Sequence, residues 1–410
     1  MEPKEKQKAA PIRLPELDSV RGLAALWVYG YHVWQFGGCP AWMVSLGGVS
    51  FDAFAVMRHG PAGVDLFMVL SGFCLFWPLV NGSQSALRWN WRGYAMRRVT
   101  RILPPYYGAI LYSLLLPNAL VILVRGMGWD VHVQALPSAW QVVSHILFIH
   151  TFFAETWAGV TGAFWSMGLE AQFYAVFPVL VWAWRRVGVW TIVAAAGASL
   201  LYRLITGFCM EGGDPLSQFL VSITFLGRWM QFAGGMAAAL YVGKCVAASR
   251  PTSALSQIAL GCTGVLCVRA GLSEFVYARL DMPWRDVFLA LGYSCTLAAL
   301  CLASAPVKAL FQRGILPKFG RISYSFFLIH QPTSWYLMEL FHKKFGVSGI
   351  NQVLLGYTAG LLVTLLFSWS FFQLFERPFI TDSQAKKQAP ADPAPAATLS
   401  PDNMAKGLFP

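Results

Sequence analysis

Residues 63–73 read Gly63-Val64-Asp65-Leu66-Phe67-Met68-Val69-Leu70-Ser71-Gly72-Phe73, and the run stays apolar to about residue 81. Such a stretch, with a single carboxylate, predicts a helix long enough to cross a hydrocarbon core of about 30 Å. Gly63 and the Ser71-Gly72 pair let a neighbouring helix approach closely. Asp65, at the outer end, is costly in lipid and needs a reason. It is expected to meet either an extracytoplasmic acceptor or another helix.

Outward from this stretch, nine others have the same character: residues 20–38, 102–124, 162–184, 189–206, 219–243, 254–271, 285–304, 319–341 and 352–375. Composition agrees. Of the 410 residues, 56% are hydrophobic and only 12% charged, where a soluble domain is about a quarter charged. The fold class expected is all-α, a polytopic membrane helical bundle of about ten transmembrane helices. The 17 Trp, 30 Phe and 14 Tyr suit aromatic belts at the two interfaces as well as packing. Residues 137–153, apolar but holding His145 and His150, are expected as a re-entrant or interfacial segment.

Basic residues set the orientation. With both termini cytoplasmic, the inner segments hold 22 of the 31 Lys and Arg, so the net charge of +12 reflects topology rather than nucleic-acid binding. The organisation expected is a cytoplasmic segment 1–19, one transmembrane domain 20–380, and a disordered cytoplasmic tail 381–410 rich in Ala, Pro and Lys. No internal repeat suggests inverted transporter halves. Most of the eight cysteines fall in apolar runs and make no metal pattern. Cys39 and Cys209 share the outer side and are the one candidate disulfide. Phe36-Gly37-Gly38-Cys39 has a lipoprotein-like look, but His32 and several aromatics before it point to a retained helix.

Ionisable groups within spans are the candidates for chemistry. Arg21 and His32 are eleven residues apart, which puts them on one helix face about 16 Å apart along the axis. One long substrate can touch both. The plain alternative is an anchoring Arg and a packed His. By depth, His32, Glu170, Arg228 and His330 fall in the middle third of the membrane and suggest one polar chamber. There Glu170 is expected to fix the His32 tautomer, unless it pairs with Arg228. The loop after the second span holds Arg88, Arg92, Arg97, Arg98 and Arg101 before Pro104-Pro105. If it is helical, Arg97, Arg98 and Arg101 share a face, and their guanidinium forks suit phosphates. The alternative is a simple topology signal.

Five pieces occur in order: Leu17-Asp18-Ser19-Val20-Arg21-Gly22 with His32 in an Arg-x10-His arrangement; GVDLFMVLSGF at 63–73; Arg97-Arg98-Val99-Thr100-Arg101-Ile102-Leu103-Pro104; Trp165-Ser166-Met167 with Glu170, Phe173 and Tyr174; and Gly320-Arg321-Ile322-Ser323-Tyr324-Ser325 leading to His330. Together they resemble the acyltransferase 3 family of bacterial membrane O-acyltransferases across nearly the whole chain. Met68 and Met167 are mild departures from its usual apolar residues.

The resemblance implies a multi-pass protein of the bacterial cytoplasmic (inner) membrane. It implies acyl-CoA, expected to be acetyl-CoA, as co-substrate, with no bound cofactor and no metal. The acceptor implied is a hydroxyl of an envelope glycan or lipid-linked saccharide. Carried over, His32 is the catalytic base with Glu170 orienting it, and Arg21, Arg97, Arg98 and Arg101 bind acyl-CoA. Asp65, Ser71, Trp165, Arg228 and His330 are expected to line the chamber or meet the acceptor. Some relatives carry a C-terminal extracytoplasmic hydrolase-like domain, so a second step here would fall to a separate extracytoplasmic partner. Direct transfer, with His32 deprotonating the acceptor, is the mechanism expected, and a covalent acyl-His intermediate is its rival. From other classes, a transporter or flippase predicts movement without acyl-CoA turnover, and a sensor predicts that His32 is dispensable.

Overall fold

The computed structural model describes residues 14–81, 90–128, 135–210, 214–248, 253–273 and 282–380. The tail 381–410, Arg88 and most of the segment 1–19 lie outside them. In chain order the first elements are α1 (Glu16–Phe36), β1 (Met43–Leu46), β2 (Val49–Asp52), the single turn α2 (Ala55–Arg58), α3 (Ala62–Val80) and α4 (Trp91–Gly126). The short α5 (Ala139–Ile146) precedes α6 (Trp165–Val187), α7 (Trp190–Cys209), α8 (Pro215–Ser222), α9 (Phe225–Ala247) and α10 (Ala254–Gly271). Then come α11 (Met282–Leu302), α12 (Ala305–Gln312), α13 (Leu316–Phe345), α14 (Gly349–Leu355) and α15 (Leu361–Phe371). The last two form one rod, joined by a π turn at Gly356–Gly360 and followed by another at Phe372–Glu376.

Helices therefore occupy all ten stretches expected from apolar length. Six helical stretches are long and apolar enough to cross a membrane: Ala62–Val80, Gly162–Val187, Trp190–Cys209, Ala254–Gly271, Pro283–Leu302 and Gly349–Phe379. These make the protein an integral membrane protein. The other long helices, α1, α4, α9 and α13, are less apolar along their length. They are the ones carrying Arg21 and His32, Arg98 and Arg101, Arg228, and His330.

Close backbone contact holds the bundle, as expected where lipid supplies no hydrophobic drive between helices. A Cβ on Gly72 of α3 would collide with the Phe232 carbonyl oxygen of α9, and one on Gly235 of α9 with the Val69 carbonyl of α3. The GVDLFMVLSGF stretch is thus the seam between α3 and α9. Phe173 of α6 stacks on Phe232 with ring centroids 4.6 Å apart, adding α6 to it. Similarly, a Cβ on Gly320 would strike the Asp18 backbone, so α1 and α13 touch just before Arg21.

Two departures from expectation concern local structure. From Arg92 to Arg101 the arginine segment lies in about the first three turns of α4 and not in a loop, so its side chains are held at helical spacing. Residues 43–52 form an antiparallel hairpin, with Leu46 opposite Val49, which the all-α reading missed. Its turn is Gly47-Gly48, both at positive φ (58° and 83°), as a two-residue hairpin turn requires. Residues 137–153, expected as a re-entrant or interfacial segment, hold the eight-residue α5, begun by a Ser138–Gln141 capping box, and a 3-10 turn at His150–Phe152. At about 12 Å α5 is too short to cross. Its buried His145 stacks on His150 at 3.9 Å. All eight cysteines are free, Cys39 and Cys209 included.

Candidate active site

The ionisable residues fall into three separate groups, and the single chamber expected from depth does not form. The first group lines a cavity of about 310 Å³ between α1, α3, α4, α6 and α13. Arg21 enters from α1, Ser71 and Cys74 from α3, Arg98 and Arg101 from α4, Ser166, Glu170 and Tyr174 from α6, and Tyr324 and Phe327 from α13. Glu376, in the second π turn, closes one side. Asp18 and Arg21 form an ion pair at 3.2 Å, and Arg21 also reaches the Cys74 sulfur at 3.5 Å. The Arg98 guanidinium lies over the rings of Tyr94 and Tyr174, 5.7 and 5.2 Å from their centroids. Its buried Nε has no partner among the described residues. Facing these cations, Glu170 accepts the Tyr174 hydroxyl and Glu376 accepts that of Ser325.

Three guanidiniums thus meet three carboxylates in the cavity, and Arg21 and Asp18 are joined directly. The Glu170 carboxylate is close enough to act on the Arg21 charge. Arg98 and Arg101 face inward together, as three-residue spacing requires. Arg97 does not join them. It is exposed and absent from the cavity lining, lying about 40° from Arg101 on the side away from Arg98.

The second group is the histidine pair. His32 Nδ1 lies 3.1 Å from His330 Nε2 and 3.1 Å from the Val28 carbonyl one turn back. His330 Nδ1 is 2.6 Å from the Phe327 carbonyl. Glu170 is therefore not the partner of His32; its carboxylate turns to Tyr174, on its own helix, in the arginine cavity. The two sites are nonetheless neighbours. Phe67 and Phe327, edge to face at 5.3 Å, line the cavity, and Phe327 is 5.3 Å from the His330 ring. On the other side of His32, Phe36 (5.8 Å) meets Trp335 (5.0 Å). Both rings line a second hollow of about 300 Å³ with Gly37, Gly38, Glu339 and His342.

The third group is a buried ion cluster between α3, α7, α9 and α11. Arg228 donates to Asp65 at 2.6 Å and to Asp286 at 3.1 Å. Arg203 donates to Asp286 at 3.1 Å, Gln231 to Asp65 at 3.0 Å, and Arg285 stands 3.9 Å from Asp65. Asp65 thus meets neighbouring helices, the second of its two expected options. It lies about 100° round α3 from Val64, on the side of Gly72 rather than that of Ser71. Arg228 goes with it, so neither residue lines the cavity. Trp165 also lies outside the lining and packs edge-on against Phe219 at 5.8 Å.

Sequence reasoning missed Asp286, Arg203 and Glu376. The first two had a signal, being ionisable residues inside or beside apolar stretches. Glu376 lies just beyond the last apolar stretch, beside Arg377, where a charged residue is ordinary.

Residues 14–373 match the family model described as an acyltransferase domain. A putative peptidoglycan O-acetyltransferase of Bacillus subtilis is 26% identical over 78% of this chain and 48% of its own length. An acyltransferase of Streptomyces mycarofaciens is 24% identical over 78% of each chain. The peptidoglycan O-acetyltransferase of Listeria monocytogenes is 22% identical over 78% of this chain and 49% of its own length. The chain thus spans about half the length of the two peptidoglycan relatives. No solved structure matches it.

Proposed function

This chain belongs to the acyltransferase domain family, and we propose that it is a membrane O-acyltransferase moving an acyl group, acetyl by likeness to its relatives, from acyl-CoA to a hydroxyl of an envelope glycan or lipid-linked saccharide. The membrane is proposed to be the bacterial cytoplasmic one, with both termini inside. The observation that carries this reading is the layout along α1. The arginine cavity lies at Arg21, the histidine pair about 16 Å further on, and a single layer of Phe67 and Phe327 separates them.

In this reading Arg21, Arg98 and Arg101 hold the anionic end of the donor. Arg98 supplies a fork already fixed between two tyrosine rings, and phosphates would replace the cavity's carboxylates as partners of the guanidiniums. The acyl arm extends past Ser71 and Phe67 towards His32. The acceptor approaches by the second hollow, where Trp335 offers an apolar face to a sugar ring and Glu339 and His342 offer hydrogen-bonding groups. His32 takes the hydroxyl proton as the oxygen attacks the thioester carbonyl. A C–O bond forms, the C–S bond breaks, and CoA thiolate leaves by the cavity. Positioning at two ends of one rigid helix supplies much of the rate.

The test is transfer of labelled acetyl from acetyl-CoA to cell-envelope fractions by the purified protein in nanodiscs. Label entering a glycan or lipid with the wild type, and lost with His32→Ala, is the expected result. Full-rate labelling by His32→Ala would remove His32 as the base. Labelled enzyme accumulating without acceptor would replace direct transfer by an acyl-histidine intermediate.

A further inference from the structure

We infer that His330 is a positioning residue that locks His32 in the tautomer with its proton on Nδ1, so that the Nε2 lone pair is the one offered to the acceptor. The inference rests on the reading of His32 as base and adds what sets it. A backbone carbonyl only accepts, so each ring nitrogen facing one must carry hydrogen. His330 Nδ1, against the Phe327 carbonyl, is therefore N–H, and its Nε2 in the neutral ring is an acceptor. His32 Nδ1 faces the Val28 carbonyl and is N–H too, and its single hydrogen is shared with His330 Nε2. One assignment satisfies all three contacts. A proton on His330 Nε2 would oppose the His32 Nδ1–H, and moving that hydrogen away would set the bare Nδ1 lone pair against the Val28 carbonyl oxygen.

The surroundings explain why a second imidazole occupies the place a carboxylate takes in a triad. His330 is wholly buried, with Phe326 stacked at 6.0 Å, Phe327 at 5.3 Å and Tyr29 at 6.5 Å. A resting carboxylate there would be an uncompensated charge in an apolar layer, whereas a neutral imidazole orients without one. When His32 Nε2 takes the hydroxyl proton, the new imidazolium strengthens its Nδ1–H bond to His330, and the Phe327 carbonyl holds the second ring in line. His330 exchanges no proton with substrate. The proton on His32 passes on to the departing thiolate, so the pair returns to its starting tautomers.

Two measurements test it. Side-chain ¹⁵N NMR of histidine-labelled protein in nanodiscs, with His32 assigned by difference from His32→Gln, should show protonated Nδ1 and bare Nε2. In His330→Ala the two tautomers should mix. In parallel, His330→Ala should lower kcat on the order of 10²-fold with the KM for acetyl-CoA held within about twofold. His330→Gln, whose amide oxygen can accept from Nδ1–H, should recover about tenfold of that. Protonated Nε2 on His32 in the wild type would overturn the inference, as would full kcat in His330→Ala or equal losses in the Ala and Gln variants. Turnover persisting in His32→Ala would overturn the functional reading instead, and the NMR result would still decide the tautomer.

Discussion

Two sets of opposite charges sit in one helical bundle, the Arg228 set buried and the Arg21 set half-buried, and they are built on different plans. Around Arg228, every side chain is joined to another: Asp65 and Asp286 each take a direct bond from it, with Arg203, Gln231 and Arg285 completing the ring. Around Arg21, Arg98 and Arg101 the carboxylates Glu170 and Glu376 are held by hydroxyl groups of Tyr174 and Ser325, and a hollow remains between the opposing charges. Desolvated ions are costly, and tight pairing is the usual way to offset that cost. A cluster that closes on itself ties helices together. One that leaves cations engaged with rings and space is prepared for an anionic ligand. Intramembrane charge marks both, and the degree of mutual pairing separates them.

The sharpest way to break this comparison is Asp286→Asn. The closed cluster has three guanidiniums and two carboxylates, and removing this carboxylate leaves Asp65 alone against Arg203, Arg228 and Arg285. Breaking a buried pair from one side costs about 3–5 kcal/mol, so the thermal midpoint in detergent should fall by several degrees. Arg228→Met should cost less, because two cations then face two anions. A midpoint unchanged in Asp286→Asn would show that water reaches the cluster and that it is not a closed lock.

The complementary experiment is Arg98→Gln in the cavity. Its guanidinium makes ring contacts rather than ion pairs, so stability should change by less than about 1 kcal/mol. The KM for the acyl donor should rise about tenfold, equivalent to about 1.4 kcal/mol of lost binding. Arg97→Gln, one position away on the exposed face, should leave KM within about twofold. Equal effects of the two changes would mean that the segment acts through net charge alone and that the cavity face has no special standing.

The parts of this arrangement legible in the sequence are those fixed by length and period. Apolar stretches must be long enough to cross lipid, so all ten are helical, although the one expected at 102–124 begins at Trp91 and the one at 219–243 is broken after Ser222. The same period groups Arg97, Arg98 and Arg101 on one face, and of these Arg98 and Arg101 line the cavity while Arg97 is exposed. What sequence could not settle is which polar groups meet across helices. Counting along the apolar stretches places His32, Glu170, Arg228 and His330 at one depth, yet Glu170 stands with Arg21 in the arginine cavity, and counting says nothing about azimuth. Asp65 turns towards α9 because Gly72 and Gly235 bring those helices together. Glu170 turns to Tyr174 one turn along, and His32 finds a second histidine 298 residues away. Such pairings are properties of packed faces, and only packing reveals them.

Asp52 gives the smallest and most selective probe, because it repeats the Asp65 motif outside the apolar stretches. Its Oδ1 accepts from the Trp42 and Phe54 backbone N–H groups at 3.0 and 2.9 Å, and its Oδ2 takes the Arg58 guanidinium at 2.9 Å. Partial burial works against its charge, but these donors outweigh it and hold the carboxyl below its usual range. A depressed carboxyl pKa contributes stability above the unfolded value of about 3.9, and that contribution is lost as pH falls through the folded value. The protection factors of the Trp42 and Phe54 amides, corrected for the intrinsic exchange rate at each pH, should therefore stay high at neutral pH and drop only as the carboxyl protonates. Asp52→Asn should abolish that pH dependence, because no carboxyl remains to titrate. The exposed Arg58 pair should contribute about 0–1 kcal/mol at most, so the variant should leave the thermal midpoint within a degree or so of wild type. A fall matching that of Asp286→Asn would contradict the distinction drawn here, since the same residue types would then lock the fold equally well with water beside them.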